Sequence, residues 1–372
     1  MRTSKFAHIG SIAWKSLAVA ILLLGTTVLA FGANAPGSLL NRSIGNAAER
    51  ASLRGYGISD SFYALPPVEL DRRMSDIRAS GAEWVRYDLN WSAVQAHGAA
   101  SYDWSTSDRI TAAANRHDLR VVMILDLTPQ FQRVAGCNLG ERCAPVSPEA
   151  FGVFAGNAAQ HYRAQGVNTW EIWNEPNIAF RFGPATDPRK YVAMLKNSYN
   201  AIKQADPSAV VIAGSTAPAA SENGDLRPLD FLREMYAEGA QGYFDAISAH
   251  PYTYPLTPSQ SGADDAWGQM IAMHEVMTEN SDGDKRIWIT EFGAPTNGPN
   301  EPRDHVSEAV QAVTIAEAAS IYHGYSWSGP LFWYGYKDAG TSRASSENFY
   351  GLVRADGSKK PAYDAFVRAH QQ

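Results

Sequence analysis

The sequence predicts an α/β fold made of a single (β/α)8 TIM barrel. From Gly55 onward, short β-rich runs alternate with longer helical patterns, in units of about forty residues. Eight such units fill the rest of the 372-residue chain, and eight is the number that closes such a barrel. A doubly wound open sheet is the rival fold, but Gly55-Tyr56-Gly57 lacks the third glycine of a nucleotide-binding loop.

The strand and helix signals can be placed in order along the chain. The β-rich runs span residues 55–60, 84–91, 120–128, 169–177, 209–217, 244–254, 286–294 and 330–338. Helix starts are marked by capping residues or prolines at 66–69, 147–149 and 187–189. An apolar stripe at helical spacing predicts an amphipathic helix over residues 191–202.

The first 33 residues differ from the rest of the chain. Three basic residues precede an uncharged apolar run at 17–31, and small residues follow it. This pattern predicts an export signal or an uncleaved membrane anchor at 1–33, then a polar linker at 34–54 and the barrel at 55–372. Both interpretations place the folded part outside the cytosol, either secreted or in the cell envelope.

Composition and motif content exclude several classes of function. The chain has 32 basic and 38 acidic side chains, a formal net charge of −6, and no basic block. This argues against a nucleic-acid partner, because binding to the phosphate backbone depends on clustered Lys and Arg. There is no His-Glu-x-x-His zinc motif, no P-loop and no Gly-x-Ser-x-Gly nucleophile elbow, so we expect no metal or cofactor in catalysis. The oligomeric state is left open.

Cys137 and Cys143 are the only cysteines in the chain. They lie in a short Gly- and Pro-containing stretch, and two thiols without a nearby histidine are too few for a zinc site. In an oxidising compartment, a local disulfide that closes a loop is the expected outcome.

Two glutamates stand at the ends of hydrophobic strands. Glu175 closes the fourth β-rich run and Glu291 closes the seventh. Burying a carboxylate is costly unless it is paired or hydrogen-bonded, so neither position is an ordinary surface one. On near-opposite strands of one barrel, the two side chains can face each other across the mouth where barrel chemistry takes place. Glycoside hydrolysis uses such a pair: one carboxyl group protonates the leaving oxygen, and the other attacks the anomeric carbon or activates water.

Further motifs follow the predicted strands. They are Asn174-Glu175-Pro176 after strand four, His250-Pro251-Tyr252 after strand six, Arg86 on strand two, Trp333 on strand eight and the ending at residues 360–366. With these motifs, over nearly all of residues 55–372, the chain resembles the retaining glycoside hydrolases of clan A. It is most similar to family 39 and to family 5 cellulase-like proteins. Asp126 stands where family 5 often has a histidine, which favours the family 39-like proteins.

The resemblance implies how the two glutamates divide the chemistry. Glu175 would be the general acid/base and Glu291 the nucleophile. For the first step Glu175 has to be protonated, so we expect apolar surroundings and the charge of Glu291 to raise its pKa. Arg86 and the hydroxyl group of Tyr252 would keep Glu291 ionised.

The resemblance also implies contacts with the sugar. Asn174 would hydrogen-bond the 2-hydroxyl group, and His250 would orient a carboxylate or the sugar. Trp333 would form a hydrophobic floor on which the sugar ring can lie. Apart from the resemblance, Asp88 and Asp126 are candidates to bind sugar hydroxyl groups, although each could equally cap a loop or pair with Arg86.

The sequence therefore predicts an exported retaining glycosidase that cleaves a polysaccharide or oligosaccharide by double displacement. A β-xylosidase, a β-mannanase or an endo-glucanase is an alternative within the same chemistry. A non-catalytic carbohydrate-binding envelope protein on the same barrel is the alternative from another class, and the presence of both glutamates argues against it. Retention requires the two carboxyl groups to be about 5–5.5 Å apart, whereas inversion requires about 6.5–9.5 Å.

Overall fold

The computed structural model describes residues 53–299 and 303–370 of the chain. In this part of the chain, eight parallel strands form a closed barrel in sequence order, which confirms the predicted fold. The strands are β1 (Tyr56–Ser59), β2 (Trp84–Asn90), β3 (Arg120–Asp126), β4 (Thr169–Asn174), β5 (Val210–Thr216), β6 (Ala246–Ala249), β7 (Arg286–Phe292) and β8 (Ser328–Tyr334). The predicted leader, and all but the last two residues of the predicted linker, lie outside the described residues.

Helices connect the strands along the chain. They are α1 (Pro67–Ala79), α2 (Trp91–Val94), α3 (Ser105–Arg116), α4 (Pro148–Arg163), α5 (Pro188–Ala205), α6 (Pro228–Ala237), α7 (Ala266–Glu279), α8 (Glu308–His323) and α9 (Pro361–Ala369). The predicted caps of α4 and α5 are confirmed, because the side chains of Ser147 and Asp187 accept hydrogen bonds from the N–H groups of Ala150 and Lys190. Within residues 53–299 and 303–370, no helix is both long and apolar enough to cross a bilayer.

The end of the barrel where the strands begin is filled by apolar side chains. A separate buried cluster there consists of Trp84, Val122, Val210, Ile212, Ala246, Trp288 and Phe332. The rings of Trp84 and Trp288 meet edge to face, with their centroids 5.5 Å apart. Gly57 and Gly329 make room for these rings, since a Cβ atom at either position would lie 2.4 Å from Phe332 or Trp288. A ligand therefore has to approach from the other end, where the strands finish.

Two loops at the open end of the barrel are tied together. Cys137 and Cys143 form a disulfide in the loop between β3 and α4, as predicted. The N–H of Ala144 donates to the carbonyl of Gly183 at 2.8 Å, and the N–H of Gly183 donates to the carbonyl of Arg142 at 3.0 Å. The disulfide loop therefore supports the loop between β4 and α5, which follows Glu175.

Two of the acidic residues that follow strands have structural roles. Asp338, after β8, accepts a hydrogen bond from Lys360 at 2.7 Å, and both side chains are almost fully buried. This pair fixes the start of α9 to the loop after β8. Asp60, after β1, forms an ion pair with Arg73 of α1 at 3.3 Å. Neither acid is available for chemistry.

Candidate active site

Arg86 lies at the centre of the polar cluster at the open end of the barrel. Strand β2 places it inside the barrel, where it is 1% exposed. Its Nε donates to Glu171 at 2.5 Å, its Nη1 to Glu291 at 2.6 Å and its Nη2 to the amide oxygen of Asn174 at 2.8 Å. Burial would lower the pKa of Arg86, but the charges of Glu171 and Glu291 raise it above its ordinary value. A permanently charged guanidinium group therefore joins β2, β4 and β7.

Glu171 is the fully buried partner of Arg86. One of its oxygens contacts Arg86, and the other accepts hydrogen bonds from the hydroxyl groups of Ser248 and Thr290. With 0% exposure and both oxygens engaged, this carboxylate has a structural role and does not reach a ligand.

Glu291, near the end of β7, is held through both of its oxygens. Oε1 contacts Arg86, while Oε2 accepts a hydrogen bond from the hydroxyl group of Tyr252 at 3.0 Å and lies 3.6 Å from Nδ1 of His250. Burial, and then the charge of Glu291, raises the pKa of Tyr252 well above its ordinary value, so this hydroxyl group keeps its proton and donates. Arg86 and Tyr252 therefore each donate a hydrogen bond to the carboxylate of Glu291.

The end of β4 departs from strand geometry, and this brings two consecutive side chains to the site. Trp173 and Glu175 have φ angles of 68° and 53°, in the left-handed region that non-glycine residues rarely adopt. In a regular strand Asn174 and Glu175 would point to opposite faces. Here Asn174 contacts Arg86 and Glu175 contacts His250, so both side chains face the mouth of the barrel.

Each oxygen of the Glu175 carboxylate has its own nitrogen partner. Oε1 lies 2.9 Å from Nδ1 of His250, and Oε2 lies 3.0 Å from Nε of Arg181. The other ring nitrogen of His250 lies 3.1 Å from the hydroxyl group of Thr290, which fixes the orientation of the imidazole.

The electrostatic environment of Glu175 differs from the expected one. Burial alone would raise the pKa of this carboxyl group. The hydrogen bond and charge of His250, together with the charges of Arg181 and Arg86, outweigh burial, and the pKa lies below its ordinary value. The raised pKa expected from the sequence is therefore wrong for this arrangement, because His250 and then Arg181, which reaches back from the following loop, favour the charged form of Glu175.

The carboxylates of Glu175 and Glu291 lie close together. One oxygen of each, together with a ring nitrogen of His250, lies within 4.8 Å of the other two. By spacing alone these three atoms could hold a divalent cation. However, Arg86 and Arg181 already contact the same carboxylates at 2.6 and 3.0 Å, and two guanidinium charges oppose a further cation. The cluster therefore fits a pair of reacting carboxyl groups better than a metal site, and the absence of a cofactor stays a prediction.

A second pair of carboxyl groups, Asp88 and Asp126, lies on β2 and at the end of β3. Asp126 is 5% exposed, and no described residue hydrogen-bonds to its Oδ1. Burial and the charge of Asp88 raise the pKa of Asp126 well above its ordinary value. Burial also raises the pKa of Asp88, to about 6, despite the opposing charge of Arg86. A buried carboxyl oxygen without a partner is suited to a ligand that can form hydrogen bonds.

Trp333 is enclosed by protein, in contrast to the exposed ring predicted for it. It is 0% exposed, its Nε1 donates to the carbonyl of Tyr350 at 2.9 Å, and its ring packs against Phe292 at 6.1 Å. A ring without exposed surface cannot stack on a sugar, so this arrangement does not support the predicted sugar floor. The next residue, Tyr334, is partly exposed and lies near Glu291.

The structure brings most of the predicted site residues into one cluster. Direct contacts link Arg86, Asn174, Glu175, His250, Tyr252 and Glu291. Asp126 lies at the edge of the cluster, in the electrostatic field of Arg86. Thr290 and Arg181 are among the residues of the cluster that were missed. Thr290 directly precedes Glu291, so regular strand alternation would turn its side chain away from the cluster. Arg181 lies in a loop, where no periodic pattern indicates which side chains point toward the site.

The fold and this cluster together define a class of protein. A (β/α)8 barrel with two facing carboxylates at its C-terminal mouth is the architecture of a glycoside hydrolase. A family model described as the glycosyl hydrolase catalytic core matches residues 148–357, more than half of the chain, and the chain belongs to this family. No curated protein sequence matches the chain significantly.

Solved structures of glycosidases share the fold. A family 39 glycoside hydrolase from Bacteroides cellulosilyticus WH2 has a TM-score of 0.67 at 22% identity, over 87% of this chain and 64% of that one. A β-xylosidase from Caulobacter crescentus CB15 has a TM-score of 0.64 at 18% identity, over 88% and 69% of the two chains. A GH5_18 protein from Streptomyces cattleya in complex with GlcNAc has a TM-score of 0.64 at 15% identity, over 86% and 80%. The chain thus spans less than two thirds of the family 39 protein, and the predicted resemblance to families 39 and 5 is confirmed for the fold.

Arg86→Met tests the central position of this cation in the cluster. We expect the free energy of unfolding to fall by about 3–5 kcal/mol, because Glu171 and Glu291 stay buried without their counter-ion. The matched control is Arg116→Met, which removes a surface ion pair with Asp71 at 2.8 Å and should leave the free energy of unfolding almost unchanged. Urea-induced unfolding measures both variants. Equal losses would contradict the role given to Arg86.

Proposed function

We propose that the chain is a retaining glycosidase in which Glu291 is the nucleophile and Glu175 acts first as acid and then as base. The observation that carries the proposal is the approach of the two carboxylates, with one oxygen of each within 4.8 Å of the other. This spacing agrees with the about 5–5.5 Å of retaining enzymes. Inverting enzymes separate the two carboxyl groups by about 6.5–9.5 Å to admit a water molecule, so the short approach supports the retaining mechanism.

The partners of the two glutamates support these roles. In the first step an oxygen of Glu291 bonds to the anomeric carbon, and the leaving oxygen takes a proton from Glu175 as its bond to that carbon breaks. In the second step a water molecule gives a proton to Glu175 and bonds to the same carbon, and Glu291 leaves as a carboxylate. Arg86 and Tyr252 stabilise that departing charge, because both donate to Glu291.

Polar groups beside the two glutamates are suited to holding the sugar. The amide oxygen of Asn174 already accepts from Arg86 and Ser215, which leaves its Nδ2 group to donate to a sugar hydroxyl group. Asp88 and Asp126 offer carboxyl oxygens to further hydroxyl groups.

We propose a β-linked oligosaccharide or polysaccharide as the substrate. The support comes from proteins of similar structure, which include a β-xylosidase and an exo-β-1,4-mannosidase from Opitutaceae bacterium strain TAV5. Aryl β-xylosides, β-glucosides and β-mannosides form the panel that identifies the preferred sugar.

Substitution of the two glutamates tests the chemistry. Glu291→Ala should abolish turnover of the preferred aryl glycoside. Glu175→Ala should lower kcat/KM by about 10²–10⁴-fold for a poor leaving group and much less for a dinitrophenyl group, which departs without a proton. Azide needs no general base, so it should restore turnover by Glu175→Ala. Glu275→Gln, exposed on α7, is the control and should keep the wild-type rate.

The stereochemistry of the product gives an independent result. Proton NMR during hydrolysis should show the first-formed sugar with the anomeric configuration of the substrate. An inverted product contradicts the nucleophilic role of Glu291. Glycan binding without hydrolysis or transfer on the whole panel would instead favour the carbohydrate-binding alternative.

Asp126→Asn tests the contact with the sugar. We expect kcat/KM to fall by about tenfold, since the isosteric amide alters a hydrogen bond in a buried position. A deoxy-substrate that lacks the contacting hydroxyl group should be cleaved equally well by the variant and the wild type. Asp118→Asn, exposed at the opposite end of the barrel, is the control. A uniform loss on all deoxy-substrates argues against a direct contact.

We propose that the protein is exported and acts in the cell envelope or outside the cell. The support is the apolar run at 17–31 and the disulfide between Cys137 and Cys143, since disulfides persist in oxidising compartments. Cell fractionation should place full-length protein outside the cytosol. Deletion of residues 1–33 should leave it inside, where both thiols react with an alkylating reagent. Full-length protein in the cytosolic fraction contradicts export.

A further inference from the structure

Arg181 contacts the oxygen of Glu175 from which a catalytic proton can be given. Oε1 of Glu175 is engaged by Nδ1 of His250 at 2.9 Å, and this imidazole is 1% exposed. The remaining oxygen, Oε2, is therefore the one that can face a leaving group. Nε of Arg181 lies 3.0 Å from it, and a guanidinium group at this distance disfavours protonation.

The backbone of Arg181 is fixed, whereas its charged group is half-exposed. Its N–H donates to the carbonyl of Ile178 at 2.9 Å, and its own carbonyl accepts from the indole N–H of Trp173 at 3.0 Å. The side chain of Arg181 is 46% exposed, against 10% for Glu175. The guanidinium group can therefore turn toward water, which replaces the carboxylate as acceptor, without movement of the loop.

Charged and titratable groups from several elements surround Glu175. They are Arg86 on β2, Arg181 after β4, His250, Tyr252 and Tyr254 after β6, Glu291 on β7 and Glu347 after β8. Arg86 is fully buried between Glu171 and Glu291, and His250 is enclosed by Glu175 and Thr290. Of the cationic side chains in this set, Arg181 is the exposed one. Arg181 is therefore the cation whose movement can change the charge that Glu175 experiences, in addition to the negative charge that Glu291 loses when it bonds to the anomeric carbon.

We propose that Arg181 is a positioning residue that switches Glu175 between its acid and base roles, an inference that rests on the proposed function of Glu175. Before substrate binds, Arg181 keeps Glu175 as a carboxylate. A leaving-group sugar that enters beside Oε2 displaces the guanidinium group, and the carboxylate takes one proton from solvent. Glu175 passes this proton to the glycosidic oxygen as the bond from that oxygen to the anomeric carbon breaks. When the leaving sugar departs, Arg181 returns and stabilises the carboxylate that accepts a proton from the attacking water.

The pH dependence of hydrolysis tests the switch. With an aryl glycoside of poor leaving ability, kcat/KM falls as pH rises past the pKa of Glu175, because the acid loses its proton. In Arg181→Met the positive charge is lost and the pKa of Glu175 rises, so this alkaline limb should move to higher pH by about one unit. In Arg181→Lys the charge remains, and the limb should stay near its wild-type position.

The second step gives a further measurement, in which the pH profile should shift in the same direction. With a dinitrophenyl glycoside, conditions can be chosen in which breakdown of the glycosyl-enzyme limits kcat. Glu175 acts there as a base and needs its charge, so the acid limb of kcat should also move to higher pH in Arg181→Met. A uniform loss of rate at every pH, with both limbs unmoved, would show that Arg181 has only a structural role.

Two further variants distinguish failure of the Arg181 switch from failure of the acid/base role proposed for Glu175. Arg142→Met removes a cation that stacks on Phe180 at 4.1 Å in the neighbouring disulfide loop, and it should leave both limbs in place. Glu175→Gln should remove the alkaline limb. If the limb persists in Glu175→Gln, the proposed acid/base role fails. If Glu175→Gln removes it and Arg181→Met leaves it unmoved, the switch fails while the proposed function stands.

Discussion

The contacts of Arg86 determine the charge balance of the whole site. This buried cation is shared between Glu171, which is fully enclosed, and Glu291, which faces the mouth of the barrel. The sharing matters for a proposed nucleophile. A guanidinium group beside Glu291 alone would stabilise the carboxylate strongly and oppose attack, whereas the negative charge of Glu171 repels that of Glu291 and offsets part of this stabilisation. Glu171 therefore contributes to the chemistry through Arg86, although it reaches no ligand.

The cluster also depends on departures from regular strand geometry. Strand β4 ends with two residues in the left-handed region, and this turns Asn174 and Glu175 to the same side. Strand β7 pairs irregularly with β8 between Ile289 and Phe292, where both Thr290 and Glu291 contact the polar cluster. Regular alternation would have placed one member of each pair on the helix side of the barrel. Strained backbone of this kind persists where the surrounding structure holds it, and it is frequent at functional sites.

The barrel and most of the cluster could be predicted because their signals are local. Alternating strand and helix patterns mark each unit, and polar residues at the ends of hydrophobic strands stand out. The burial of Trp333 could not be predicted, since it depends on Phe292 and Tyr350 from other segments. Arg181 could not be found either, because a loop arginine carries no pattern that shows where its side chain points. The direction predicted for the pKa of Glu175 was wrong because burial and Glu291 were considered without the opposing effects of His250, Arg181 and Arg86.

The depressed pKa of Glu175 is compatible with its role as an acid once both steps are considered. A retaining mechanism needs this group protonated in the first step and ionised in the second. A permanently raised pKa favours the first step at the expense of the second, and a permanently lowered one does the reverse. One environment cannot suit both steps. Bonding of Glu291 to the anomeric carbon removes its negative charge and lowers the pKa of Glu175 for the second step, whereas the first step needs a nearby cation to move away. Arg86 and His250 are enclosed and hydrogen-bonded in place, whereas the guanidinium group of Arg181 has solvent on one side. The exposure of Arg181 is thus as important to the proposed chemistry as the burial of Glu175.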